Sequence, residues 1–100
     1  MHVKFVQSGG VAGAVRGCEL DSASLAPAEA RDLEALVESS GLVASGEFLS
    51  PGARDLRLYE IQVRRDSGAV SVKFDDQTLP AKARPLVSFL RQNATPCALD

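Results

Sequence analysis

Leu58-Tyr59-Glu60-Ile61-Gln62-Val63-Arg64 is followed by Arg65-Asp66-Ser67-Gly68 and then by Val70-Ser71-Val72-Lys73-Phe74. Tyr59, Ile61 and Val63 alternate with Glu60, Gln62 and Arg64, the period of a strand with one buried face. The Asp-Ser-Gly segment reads as a hairpin turn. Val70, Val72 and Phe74 then occupy one face of the return strand, with Ser71 and Lys73 on the other. Such a hairpin is half of an antiparallel sheet, and its apolar face requires a covering layer.

The N-terminal region supplies the other half. Val3, Phe5 and Gln7 alternate with His2, Lys4 and Val6, and Ser8-Gly9-Gly10 is a turn signal. A second extended run covers roughly residues 11–20. Its Val11, Gly13, Val15 and Gly17 are expected on the core face, with Ala12, Ala14, Arg16 and Cys18 on the other.

Helices supply the covering layer. Pro27 and Glu29 suit a first turn, Leu33, Leu36 and Val37 share a face with Ala30, and Gly41 suits the residue after the helix. Residues 43–55 read as a loop punctuated by Gly46, Ser50, Pro51 and Gly52, long enough to suggest a role. Leu79-Pro80 opens a second helical segment with Leu86, Val87, Phe89 and Leu90 as its stripe. Pro85 implies either a start near that residue or a kink. The expected fold is α+β: a four-stranded antiparallel sheet with one face covered by helices, in the order β-β-α-β-β-α. Residues 1–92 form the single expected domain, and 93–100 a flexible tail.

The 100-residue length fits one domain, and 45% apolar with 24% charged residues is a globular balance. A net charge of −2 without a Lys/Arg tract argues against nucleic acid or a membrane surface as partner. No apolar run reaches the length of a membrane span, and the first residues lack a secretory pattern, so a cytoplasmic location is expected. Cys18 and Cys97 match no metal spacing and make no disulfide framework.

The residues that carry chemistry are sparse. His2 is the single imidazole and lies at the chain start, a poor place for an ordered general base. No serine sits in a nucleophile-elbow pattern, and the cysteines form no CxxC pair. Asp75-Asp76 offers hard oxygen ligands for a divalent ion, or, more simply, a turn with Thr78 as a cap. Ser8-Gly9-Gly10-Val11-Ala12-Gly13 lacks the Lys and Ser/Thr of a phosphate loop and reads as a hairpin tip. Arg54, Asp55 and Arg57 at the end of the long loop are solvated charges or contact residues. No catalytic site, cofactor or metal is expected.

The chain resembles the emfourin family of proteinaceous inhibitors of thermolysin-like, protealysin-type zinc metalloproteases. The resembling elements are Ser8 to Gly13, Asp55 with Tyr59 to Val63, Val72-Lys73-Phe74-Asp75-Asp76, and Leu79-Pro80 with Arg84-Pro85-Leu86 and Phe89-Leu90. They run in matching order over roughly residues 3–91. Position 11 in the family pattern is often a larger hydrophobe than Val11. The resemblance implies a reversible inhibitor that blocks the active-site cleft of such a protease, and a helix-on-sheet fold. The expected contact residues are Ser8, Gly9, Gly10, Val11 and Ala12 at the hairpin tip, then Ser50, Arg54 and Asp55 in the long loop. The expected partner is the protease, with no nucleic acid or membrane, and the inhibitor itself is expected to be a monomer. The alternative is a non-inhibitory protein-interaction module using the polar sheet face with Lys4, Arg16, Glu60 and Arg64.

Overall fold

The computed structural model describes residues 1–9, 15–51 and 56–96. At its centre lie the two hairpins. Strand β1 (His2–Gly9) pairs antiparallel with β2 (Arg16–Asp21) on one side and with β4 (Arg57–Arg65) on the other, and β4 pairs with β5 (Gly68–Asp75). Arg65 faces Gly68, so Asp66 and Ser67 alone turn the second hairpin. Gly68 takes φ +142°, a backbone state that side chains disfavour.

The sheet is larger than expected. Among the described residues it has six strands in the order β3-β5-β4-β1-β2-β6 and is mixed, not four-stranded and purely antiparallel. Strand β3 (Gly46–Phe48) lies inside the segment read as a loop and runs parallel to β5, with Phe48 opposite Phe74. Three residues are too few to show a period-two pattern, and their partner is 26 positions away. Strand β6 (Thr95–Pro96) extends the far side through Thr95 opposite Gly17. Its proline has no N–H to donate, which fits an edge position. Of the segment 93–100 read as a tail, Asn93 closes the second helix, Ala94 is buried, and Thr95 and Pro96 join the sheet.

Helix α1 (Pro27–Ser39) begins with Pro27 in its first turn and buries Leu33 and Val37. Gly41 follows its end at φ +74°, as a helix-terminating glycine should. Helix α2 (Arg84–Asn93) follows one 3-10 turn, Ala81–Ala83, so Pro85 stands in the first turn of the α-helix and produces no mid-helix break. Its Leu86, Val87 and Leu90 join Leu33, Val37, Val3, Phe5, Tyr59, Ile61, Val63, Val72 and Phe74 in one core. Each large apolar side chain buried there contributes about 1.5–3 kcal/mol relative to exposure.

The faces of β2 are reversed from expectation. Phe5 stands opposite Cys18 and Val3 opposite Leu20, so Cys18 and Leu20 pack on the core. Arg16 shares that side and its guanidinium donates to the Ala94 carbonyl at 3.4 Å, while Gly17 lies on the other. Val15 precedes the strand. Weighting Val15 above Cys18 and Leu20 gave the wrong parity. Arg16 therefore does not belong to the open polar face, which carries Lys4, Glu60, Gln62, Arg64, Ser71 and Lys73. On that face the Lys73 ammonium lies 3.0 Å from the Glu60 carboxylate.

Candidate functional site

The two segments singled out in the sequence spring from the same end of the sheet. Strand β1 leaves it at Ser8 and Gly9, which face Leu58 and Arg57 of β4. Leu58 in turn faces Asp75 at the end of β5, and Asp75 holds Ser50. Three links, Ser8 to Leu58, Leu58 to Asp75 and Asp75 to Ser50, thus connect the first candidate segment to the second. Gly10, Val11, Ala12, Arg54 and Asp55 lie outside the described residues.

Gly9 is required by its backbone and by its neighbours. It takes φ +80°, and a Cβ there would sit 2.8 Å from the Leu56 carbonyl oxygen. The first hairpin and the end of the long loop therefore approach each other backbone to backbone, at a distance only glycine allows.

Asp75 organises the other side. It has no solvent exposure, and its carboxylate accepts from the Ser50 N–H and the Ser50 hydroxyl, both at 2.6 Å. Its second oxygen accepts from the Gln77 N–H at 2.7 Å and the Thr78 N–H at 2.9 Å, while its own N–H donates to the Thr78 hydroxyl. Loss of water would raise the pKa of this carboxyl; the hydrogen bonds from Ser50, Gln77 and Thr78 outweigh it and bring the value from 3.8 down to about 2. The group is held as an anion by donors alone.

Asp76 grips the start of β4. Its carboxylate accepts from the Arg57 N–H at 2.9 Å and from the Tyr59 hydroxyl at 2.5 Å. Burial raises the Tyr59 pKa, and the hydrogen bond and negative charge of Asp76 raise it further. The adjacent carboxylates thus form a turn, and each also ties down one flank of the long connection: Ser50 before it and Arg57 after it.

Sequence reading missed this long-range function of Asp75 and Asp76, because no local pattern connects Asp75 to a serine 25 residues earlier. It also passed over Phe48 and Leu49. Both are large apolar residues that remain 47% and 42% exposed beside Ser50. Two adjacent bulky hydrophobes in a segment otherwise marked by Gly, Ser and Pro were the available signal.

The chemistry at this end is recognition chemistry: backbone edges, hydroxyls, anchored carboxylates and exposed apolar surface. His2 lies at the far end of β1, with its Nε2 3.3 Å from a Glu19 oxygen. Among the described residues no group of three or more His, Cys, Asp or Glu side chains is placed to hold a metal ion. No helix there is long and apolar enough to cross a membrane.

The family model described as Emfourin matches residues 5–91, and the chain belongs to that family. The family consists of inhibitors of protealysin-like metalloproteases, not enzymes. No curated protein and no solved structure gives a match.

Proposed function

We propose that this member of the Emfourin family is a reversible inhibitor of a thermolysin-like zinc metalloprotease, and that it blocks the active-site cleft with the Ser8 end of its sheet. The observation that carries this reading is the family match over residues 5–91. The convergence of Ser8, Gly9 and Ser50 on one end supports the choice of surface. Ser8 and Gly9, held by strand pairing, and Ser50, held by a buried carboxylate, lose little conformational freedom on docking, which lowers the entropic cost of association.

In this reading the inhibitor excludes substrate by occupying the cleft, and the catalytic zinc remains the protease's own. Ser8, Gly9 and Ser50 are the described contacts, and Gly10, Val11, Ala12, Arg54 and Asp55 complete the proposed surface. The inhibitor acts as a monomer, in the cytoplasm, and cell fractionation tests the location.

The test is peptide cleavage by a thermolysin-like protease with increasing amounts of the protein. Competitive loss of cleavage and co-elution on size exclusion are expected. Absence of both across a panel of such proteases would sink the proposal. Binding without inhibition would select a non-inhibitory interaction module instead.

A further inference from the structure

We propose that Phe48 and Leu49 form the apolar part of the protease-contacting surface, and that Asp75 is the residue that positions them by gripping Ser50. This rests on the inhibitory reading above and names the part of the surface that does the docking.

Three large apolar side chains are exposed among the described residues: Val43, Phe48 and Leu49. Val43 lines a groove with Arg65, Ser67 and Gly68, at the opposite end of the sheet from Ser8. Phe48 and Leu49 lie at the proposed contact end. The parallel register of β3 on β5 carries the chain toward Asp75, and Ser50 is bonded to that residue.

The Phe48 ring and the backbone around Leu49 are held, while both side chains remain exposed. The Phe48 ring stacks on Phe74 with centroids 5.3 Å apart and planes inclined by 18°. It also occupies space that a side chain at position 46 would take, since a Cβ on Gly46 would sit 2.9 Å from the Phe48 ring tip. Leu49 lies between the last residue of β3 and the doubly bonded Ser50, so the backbone on both of its sides is fixed. An exposed apolar pair costs solvation free energy in the free protein. Fixing it in place removes entropy that docking would otherwise have to remove. That combination fits an anchor for an apolar patch of a protein partner, and its place at the same end of the sheet as Ser8 and Gly9, with the family match, makes the metalloprotease that partner.

The test combines inhibition of protealysin with amide hydrogen exchange of the free protein. Leu49→Asp is expected to raise the inhibition constant roughly 30-fold or more while leaving the melting temperature unchanged, and Leu49→Met to retain most of the affinity. Asp75→Asn is expected to accelerate exchange at the Ser50 amide and to speed dissociation, with β1 and β4 amides still protected. Ser50→Ala, which removes the hydroxyl bond alone, gives the same trend in milder form should Asp75→Asn not fold. Equal inhibition by wild type and Leu49→Asp would overturn the apolar anchor. Unchanged Ser50 exchange, or faster exchange throughout the sheet, would overturn the positioning role of Asp75. If the wild-type protein inhibits none of the proteases tested, the inhibitory reading falls and this inference with it.

Discussion

At the Arg65 end of the sheet β4 turns into β5 through Asp66 and Ser67 alone, whereas at the Ser8 end two carboxylates reach across the molecule to hold the chain. The described ties at the Arg65 end enclose no anion: the Met1 ammonium donates to the Ser22 hydroxyl at 3.1 Å, and His2 lies 3.3 Å from a half-exposed Glu19. The Ser22 N–H donates to the Met1 carbonyl, Asp21 accepts from Ala23 two residues on, and the Ser71 N–H donates to the Ser45 hydroxyl. At the Ser8 end the tie is a fully enclosed anion with four donors. Burying a charge carries a large desolvation cost, offset only by complete hydrogen bonding. The same strands are closed at the other end without it, so closing a sheet does not explain the buried charge. Holding a particular segment does.

The comparison can be broken in several ways. The largest expected effect belongs to neither end: Phe5→Ala empties the core under both and should cost about 3–5 kcal/mol by denaturant unfolding. A smaller cost would mean that the ends stabilise the fold independently of the core. Next come the two glycines. Gly9→Ala and Gly68→Ala both force a side chain to positive φ, a penalty of about 1–3 kcal/mol each. Gly9 alone also meets a carbonyl oxygen at 2.8 Å, while a Cβ at Gly68 meets nothing within 4 Å. Gly9→Ala should therefore lower the melting temperature more, and equal losses would contradict the close approach of the two loops.

The pH dependence sharpens the contrast further. The Asp75 carboxyl is depressed in the folded state, so its contribution is fully present above its unfolded pKa of 3.8 and is lost as pH falls through about 2. Acid unfolding of the wild type should show this loss between about pH 4 and pH 2, and Asp75→Asn should flatten the profile in that window. An unaltered profile would mean that the carboxylate is not held as an anion. The smallest effect is expected between the two ends, on the open face. Lys73→Met removes a partly exposed ion pair and should change stability by less than about 1 kcal/mol, with inhibition unchanged.

The central hairpins were legible because each strand has a buried face long enough to print its period: Tyr59, Ile61 and Val63 in β4, Val3 and Phe5 in β1. The helices were legible from their punctuation, with Pro27 at one start and Gly41 after one end. The outer strands were not. Three residues of β3 and two of β6 carry no periodicity, and their positions depend on partners distant in sequence. The orientation of β2 turned on whether Val15 or Cys18 marks the core, a choice that only the register with Phe5 decides. At the candidate site the glycine of the first hairpin was visible and the carboxylate clasp was not. Hydrogen bonds between residues 50 and 75 leave no trace in local composition.

The position of β1 has a consequence for the order of assembly. It is a central strand, with residue 3 opposite residue 63, although it precedes the other strands of the sheet in the chain. The β4–β5 hairpin is local and can form early, but β1 gains its second neighbour only when a long stretch of chain has closed on it. Until residue 65 has left the ribosome, the apolar face of the N-terminal hairpin lacks half of its sheet. Nascent chains stalled before β4 should therefore be protease-sensitive throughout, and protection should arise abruptly once β4 and α2 can dock. The Ser8 end comes into being in that same step, because Asp75, which fixes Ser50, is made late.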